Sequence, residues 1–131
     1  MRYLLDTHIA LAVANEATSE LPVAVRTLLA DSEQDFVVSI ASLWEIAIKY
    51  RLGKLPLKWM LEELPAQLAI VGIEFIDVRL FHVLTEVQPI PRTNDPFDKM
   101  LIAVAEVERC ELVTLDKALR DHPLTWRPAS A

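Results

Sequence analysis

The sequence contains very little cysteine and glycine. Among its 131 residues are one cysteine, Cys110, and two glycines. A single cysteine cannot form an intrachain disulfide, which argues against a disulfide-stabilised secreted domain. Two glycines cannot build the glycine-rich loop with which several folds bind phosphate. No base is placed for Cys110, so we expect a small hydrophobic residue ahead of a strand rather than a nucleophile.

Long apolar runs and targeting signals are also missing. No apolar stretch approaches the roughly 20 residues that span a bilayer. The first residues, MRYLLD, run into a strand pattern without the features of a signal peptide. We therefore expect a cytoplasmic protein with no membrane segment.

The three histidines are too dispersed to suggest a metal site. His8, His82 and His122 are widely separated and form no HxH or HxxxH pair, which disfavours a histidine-based zinc centre. We expect each of them to be a polar surface residue or a packing residue.

The apolar residues are sufficient for one core. The composition is 53% hydrophobic, and we predict a single domain over residues 1–131. Short apolar runs such as YLL and FVV alternate with helical patterns. Strands that are apolar on consecutive residues are typical of a parallel sheet covered on both faces. We predict an α/β fold, with a central sheet of about four to five parallel strands between two layers of helices.

Four acidic residues follow apolar runs that resemble buried strands, or lie on helices that open next to one. They are Asp6, Glu45, Asp98 and Asp116. Ligands of parallel sheets bind outside the carboxyl ends of the strands, so one crevice can hold all four side chains. Neighbouring carboxylates repel each other, and one pKa rises unless a cation neutralises the group. An all-oxygen set of this kind suits Mg²⁺ or Mn²⁺.

Each acid also has an ordinary structural explanation, and these alternatives stay open when the acids are taken singly. Asp6 and Asp116 suit helix caps, and Asp98 suits the first turn of a helix. Glu45 can pair with Lys49 one helical turn later. Capping does not explain why four acids fall at one edge of the sheet.

The helix that carries Glu45 is predicted to begin after Ser39 and to bury one apolar stripe, with Trp44 in the core. The stripe consists of Ile40, Leu43, Trp44, Ala47 and Ile48. Glu45 lies beside this stripe and well inside the helix, where a capping role fits poorly.

Basic residues are concentrated in one segment although the formal charge is −6. An acidic total argues against a protein that coats nucleic acid. Residues 46–60 nevertheless contain no acid and four basic residues, Lys49, Arg51, Lys54 and Lys58. Two interpretations remain open, a solvated helix end favoured by the helix dipole or a surface that contacts phosphates.

Four segments resemble the motifs of PIN-domain proteins, in particular the VapC-like toxins of bacterial toxin–antitoxin pairs that carry a DPFD pattern. The segments are YLLDTHIAL, VVSIASLWEIAIKYRLGKL, DPFDKMLIAVAEVE and LVTLD. The similarity covers nearly the whole chain and implies a PIN-like three-layer fold. The acidic quartet of that family maps onto Asp6, Glu45, Asp98 and Asp116, with the hydroxyl of Thr114 close to the site.

The resemblance implies a function. Such a protein is a Mg²⁺- or Mn²⁺-dependent endoribonuclease that cleaves RNA with a metal-activated water. Asp6, Asp98 and Asp116 would be the metal ligands, and Glu45 a ligand through water or a general base. The expected partners are an RNA substrate, a small antitoxin that covers the acidic crevice, and a second copy of the chain.

The chain departs from the pattern of these relatives at three positions. DPFD-type relatives usually have a histidine and a basic residue before the motif and an arginine after it. Thr93, Asn94 and Lys99 stand there in this chain. The departure concerns substrate binding or rate rather than the metal ligands, and Lys99 joins the candidate RNA-binding residues.

Two other classes of protein are weighed against this interpretation. One is a degenerate PIN module that binds RNA or an antitoxin without cleavage. The other is a phosphotransfer domain of the receiver or haloacid-dehalogenase type. Residues 6–8 read Asp-Thr-His rather than the D-x-D of a dehalogenase. Ser39 and Val78 stand where a receiver would need its acceptor aspartate, so both phosphotransfer types are disfavoured.

Overall fold

The computed structural model describes residues 1–128 of the chain, so the last three residues of the predicted domain 1–131 lie outside the described part. Short 3-10 turns occur at Thr18–Glu20 and Leu61–Glu63. In chain order the strands and helices are β1 (Arg2–Leu5), α1 (Thr7–Ala14), α2 (Val23–Leu29), β2 (Asp35–Ser39), α3 (Ile40–Arg51), α4 (Leu64–Ile70), β3 (Glu74–Ile76), α5 (Leu80–Leu84), α6 (Pro96–Glu108) and β4 (Glu111–Val113).

The strands form one parallel sheet in the order β3-β2-β1-β4. β1 lies inside it, with Leu4 aligned with Val37 of β2 on one side and with Leu112 of β4 on the other. The chain beyond β4 returns alongside it, where Leu112 and Thr125 form a parallel bridge. The predicted α/β fold with a parallel sheet is confirmed, with four strands in the described part.

The two faces of the sheet carry separate apolar clusters because side chains alternate along each strand. Tyr3 and Leu5 pack with α1, α2 and α4 on one face. Leu4 points the other way and packs with the buried residues of α6. Burial of a side chain such as Leu4, which is fully inaccessible, contributes about 1.5–3 kcal/mol. The sheet is thus the middle of three layers.

The topology brings several segments to one edge of the sheet. After β1 the chain moves through β2 to β3 on one side, and β4 then adds to the other side of β1. The strand order therefore changes direction between β1 and β4, where α/β sheets usually form a crevice at the carboxyl ends of the strands. Asp6 follows β1, α3 begins directly after β2, and Thr114 and Asp116 follow β4.

The structure corrects the predicted orientation of α3. Ser39 caps the helix as expected, since its hydroxyl oxygen accepts the backbone N–H of Ala41 at 3.0 Å. Trp44, however, is 62% exposed, so its assignment to the core is wrong. The residues of α3 that are buried are Ala41, Ser42, Glu45, Ile46 and Ala47. The buried face is rotated toward α1 and α6, because the helix packs against both.

None of the helices within residues 1–128 is long and apolar enough to cross a membrane.

Candidate active site

Asp6 is held at the start of α1 by two different contacts. One carboxylate oxygen, Oδ1, accepts the backbone N–H of His8 at 2.7 Å and caps the helix. The other, Oδ2, accepts the hydroxyl of Thr114. Only 5% of Asp6 is exposed. Burial raises its pKa and the negative charge of Glu45 adds to the effect, while the hydrogen bonds from Thr114 and His8 oppose it.

Glu45 is a buried carboxylate with two partners. Its Oε1 accepts a hydrogen bond from the hydroxyl of Thr7 at 2.6 Å, and its Oε2 accepts one from the ammonium of Lys49 at 2.6 Å. The bond to Glu45 raises the pKa of Lys49 against the effect of burial, and the charges of Asp95 and Asp98 raise it further. The Lys49 ammonium therefore lies in the field of several carboxylates.

Asp98 lies in the first turn of α6, where the local sequence fixes the helix start. Asp95 caps the helix by accepting the backbone N–H of Phe97 at 2.8 Å, and Pro96 occupies the first helical position. The hydroxyl of Thr93 donates to Oδ2 of Asp98 at 3.2 Å.

The pKa of Asp98 is raised to about 7 by burial, by a hydrogen bond with Asp116 and by the charges of Asp95 and Asp116. Two carboxyl groups that form such a hydrogen bond must share a proton or a cation. Asp98 and Asp116 are therefore neighbours in the fold although 18 positions separate them in the sequence.

Asp116 is positioned by the turn that follows β4. Its backbone N–H donates to the hydroxyl oxygen of Thr114 at 3.0 Å, and its Oδ1 accepts the backbone N–H of Ala118 at 2.8 Å. Thr114 in turn donates to Asp6. One threonine hydroxyl thus links the acidic residues that follow the two neighbouring strands β1 and β4.

The four predicted carboxylates lie at the same edge of the sheet, but they form linked pairs rather than a closed cage. The hydroxyl of Thr114 contacts both Asp6 and the backbone of Asp116, and Asp116 neighbours Asp98. Asp6 also interacts with Glu45 through charge. Within residues 1–128, no three His, Cys, Asp or Glu side chains converge as closely as a bound ion requires. The donors suit Mg²⁺ or Mn²⁺ because all of them are oxygens. Repulsion from neighbouring carboxylates also contributes to the raised pKa of Asp98, and a cation would relieve it. Holding an ion with three of them requires the side chains to move closer together.

The predicted RNA-binding residues do not form one patch. Lys49 lies against Glu45, and Lys99 is exposed beside Asp98 on α6. Lys58 lies at the far end of α1, where its ammonium pairs with Glu16 and its backbone N–H donates to the side chain of Asn15.

Arg51 and Lys54 also lie away from the carboxylates. Arg51 ends α3 and Lys54 follows it. At 1.5 Å of rise per residue, Arg51 is about 9 Å along the helix axis from Glu45. The basic stretch therefore runs along α3 away from the candidate site.

Two contacts of the site were missed in the sequence. The hydroxyl of Thr7 holds Glu45, and that of Thr93 holds Asp98. A signal for Thr93 does exist, since the triplet Thr93-Asn94-Asp95 repeats the T-x-D spacing of Thr114-Leu115-Asp116. Nothing near Thr7 in the sequence indicates that it contacts a residue 38 positions later.

Two of the histidines are buried packing residues outside the site. His82 accepts the backbone N–H of Arg79 at 3.0 Å, and its other ring nitrogen lies 3.3 Å from a carboxylate oxygen of Glu108. His122 lies 2.8 Å from the carbonyl oxygen of Pro89. His8 is exposed.

Comparison with known proteins identifies the family. The PIN-domain profile matches residues 3–123. No curated protein sequence is detectably similar. The chain belongs to the PIN-domain family.

Two solved structures share the fold over nearly the full length of the chain. A chain of the VapBC2 complex from Rickettsia felis, bound to a DNA fragment from its promoter, has a TM-score of 0.61 at 20% identity, with 95% of this chain and 96% of that chain covered. A chain of a toxin–antitoxin complex from Klebsiella pneumoniae has a TM-score of 0.62 at 16% identity, with coverages of 98% and 99%. The resemblance to VapC-like PIN proteins is thereby confirmed in the fold.

The raised pKa of Asp98 predicts how stability depends on pH without divalent metal. The unfolded value is about 4, so the folded protein binds more protons than the unfolded chain between about pH 4 and about pH 7. Because of Asp98, the free energy of unfolding should therefore decrease as the pH rises through this range. Asp98→Asn should make the decline shallower, as measured by urea unfolding in chelator at several pH values.

Asp35→Asn is the matched control, since Asp35 is an exposed residue of β2. It removes the same charge away from the carboxylates. If wild type and Asp98→Asn lose stability in parallel from pH 4 to pH 7, the pKa of Asp98 is not raised in the folded protein.

Proposed function

We propose that this chain is a cytoplasmic, metal-dependent endoribonuclease and the toxin of a toxin–antitoxin pair. One observation carries the proposal, namely that Asp98 lies beside Asp116 at the sheet edge where Asp6 and Glu45 also lie, and that burial together with this neighbouring carboxylate raises the pKa of Asp98 to about 7. Carboxylates that only cap helices have no reason to lie next to one another. A group of carboxylates that repel each other is the arrangement that a divalent cation stabilises.

The proposed metal ligands are Asp6, Asp98 and Asp116, with Glu45 acting through a water or as a general base. With Mg²⁺ or Mn²⁺ held by these residues, the chemistry supplied would be a lowered pKa for a water and an offset for charge that develops on the phosphate. Thr114 keeps Oδ2 of Asp6 in a fixed direction. Lys49 donates to Oε2 of Glu45, so Glu45 would have to exchange this contact for a water in order to act as a base.

Single-stranded RNA is the proposed substrate because its flexible backbone can enter a crevice at a sheet edge. Lys49 contacts Glu45, and the exposed Lys99 follows Asp98 in α6. Their ammonium groups are the proposed contacts that offset the repulsion between the phosphates and the carboxylates. An antitoxin is the proposed regulator. The two similar solved structures are of toxin–antitoxin complexes, and an acidic crevice is complementary to a basic side chain of such a partner.

A degenerate PIN module is the second candidate. It is favoured by the lack of three converging ligand side chains within residues 1–128. Such a module would bind RNA or an antitoxin with the same surface but would not cleave RNA.

Cleavage distinguishes the two candidates. Incubation of the purified protein with a panel of RNAs should give products with Mn²⁺ and none with chelator. Asp6→Asn, Asp98→Asn, Asp116→Asn and Glu45→Gln should each lower the rate by orders of magnitude, because each removes a metal ligand or the base. Gel analysis of end-labelled RNA measures the products.

Asp35→Asn should cleave like wild type, because the same change is made away from the site. Wild-type rates in two or more of the four site variants would refute the metal-site assignment. A wild-type protein that binds RNA without cleaving any member of the panel would establish the degenerate module.

The position of the lysines predicts which of them contact RNA. Replacing both Lys49 and Lys99 by Ala should reduce the dependence of RNA binding on salt, by about 0.7 in logarithmic slope per lost phosphate contact. Binding is measured by fluorescence anisotropy in chelator, so that cleavage does not interfere. Replacing both Arg51 and Lys54 removes the same charge at the far end of α3 and should leave the slope unchanged. A slope that changes only when Arg51 and Lys54 are replaced would instead place the RNA along the C-terminal end of α3.

We also propose a homodimer, because α5 carries an apolar surface without cover in the monomer. Leu80, Phe81, Val83 and Leu84 are between 61% and 67% exposed. A second apolar surface is an almost wholly apolar cleft of about 680 Å³ between α3 and the start of α6. Trp44 lines it, as does Val78, which lies two residues before α5. An isologous contact repeats such a surface on both partners, and stable interfaces bury about 800 Å² on each.

Phe81→Glu should convert the dimer to a monomer, because it places a charge in the centre of an apolar contact. Light scattering coupled to size-exclusion chromatography measures the mass. Ile70→Glu is the control, since Ile70 is 75% exposed on α4. A wild-type monomer, or a dimer that Phe81→Glu leaves intact, would contradict the proposal.

A further inference from the structure

We propose that Thr93 is a positioning residue that holds the carboxylate of Asp98 for a divalent cation, as Thr114 holds that of Asp6. This inference rests on the metal-binding part of the proposed function and requires no particular RNA substrate. The basis is a hydrogen-bonding unit that occurs twice at the same sheet edge.

The two units share one geometry. In Thr93-Asn94-Asp95 the threonine Oγ1 accepts the backbone N–H of Asp95 at 3.1 Å. In Thr114-Leu115-Asp116 the threonine Oγ1 accepts the backbone N–H of Asp116 at 3.0 Å. Each hydroxyl then has its hydrogen free to donate away from its own turn.

Both hydroxyls donate to a carboxylate of the candidate site. Thr93 donates to Oδ2 of Asp98 at 3.2 Å, and Thr114 donates to Oδ2 of Asp6. The surroundings of the two units differ, since one precedes α6 and the other follows β4. The same contact therefore arises from two unrelated segments, and both times it is made to a proposed metal ligand.

This contact has a specific consequence for Asp98. The neighbouring carboxylate of Asp116 repels the ionised side chain of Asp98, and rotation about its side-chain bonds would relieve that repulsion. A donor fixed at Oδ2 limits the rotation and leaves Oδ1 for a cation. Groups that orient a metal ligand in this way typically change metal affinity by 10- to 100-fold when they are removed.

A purely local role for Thr93 is the competing explanation, since its bond to Asp95 also shapes the turn before α6. Such a role would affect folding but not the affinity of the folded protein for metal. Metal affinity and metal-free stability must therefore be measured on the same variants.

The test compares Thr93→Val with Thr93→Ser in the full-length chain. Mn²⁺ affinity is measured by isothermal titration calorimetry without RNA, and metal-free stability by urea unfolding. We expect Thr93→Val to weaken Mn²⁺ binding by about 10-fold or more. Thr93→Ser, which keeps the hydroxyl, should bind Mn²⁺ like wild type. Thr114→Val should weaken binding in the same way.

Thr85→Val is the matched control. Thr85 donates its hydroxyl to the carbonyl oxygen of Phe81 at 2.6 Å, in an exposed position outside the site. This variant should keep wild-type Mn²⁺ affinity.

Four results would overturn the inference. They are an unchanged Mn²⁺ affinity in Thr93→Val, an equal loss of affinity in Thr93→Ser, an equal loss in Thr85→Val, and a wild-type protein that does not bind Mn²⁺. The first three leave the proposed nuclease standing. Conversely, a protein that binds Mn²⁺ as expected but cleaves no RNA would remove the nuclease and leave the role of Thr93 intact.

Discussion

Repulsion between carboxylates at the end of a parallel sheet is the constraint on which the candidate site depends. Parallel strands bring their carboxyl ends to one edge, and here Asp6 and Asp116 follow two neighbouring strands. Asp98 and Glu45 reach the same edge from helices. The fold thus collects negative charge where burial makes it costly. The clearest result of this crowding is the raised pKa of Asp98, which burial and the neighbouring carboxylate of Asp116 cause together.

The chain offsets part of this cost with groups of its own. Hydroxyl groups of three threonines each donate to one carboxylate, namely Thr7 to Glu45, Thr93 to Asp98 and Thr114 to Asp6. Lys49 supplies a positive charge to Glu45. Within residues 1–128, no basic side chain forms an ion pair with Asp98 or Asp116. A divalent ion bound there would stabilise the folded state through linkage. The capping role of Asp6 is compatible with the proposed function, because its Oδ1 caps α1 while its Oδ2 accepts a hydrogen bond from Thr114. Asp116 caps no helix in the described part, and its Oδ1 accepts the backbone N–H of Ala118 in a turn.

The sequence predicted those features that depend on local order along the chain. The apolar runs, the start of α3 after Ser39 and the acidic residues after β1 and β4 are visible as patterns of neighbours. The orientation of α3 about its own axis is not visible in this way. The spacing of apolar residues shows which side chains share a face of the helix, but it does not show which face packs against α1 and α6. Trp44 was misplaced for this reason. The contact of Thr114 with Asp6 spans 108 positions, and only the fold or a family resemblance brings such residues together.

The central claim is that these carboxylates share one charged site that a divalent cation neutralises. Titration of the aspartate carboxyl carbons by NMR, with and without saturating Mg²⁺, tests it most directly. We expect Asp98 to titrate near pH 7 in the metal-free protein and Mg²⁺ to move its midpoint well below that value. A midpoint near 4 without metal, or one that Mg²⁺ does not change, would rule out a shared site of this kind.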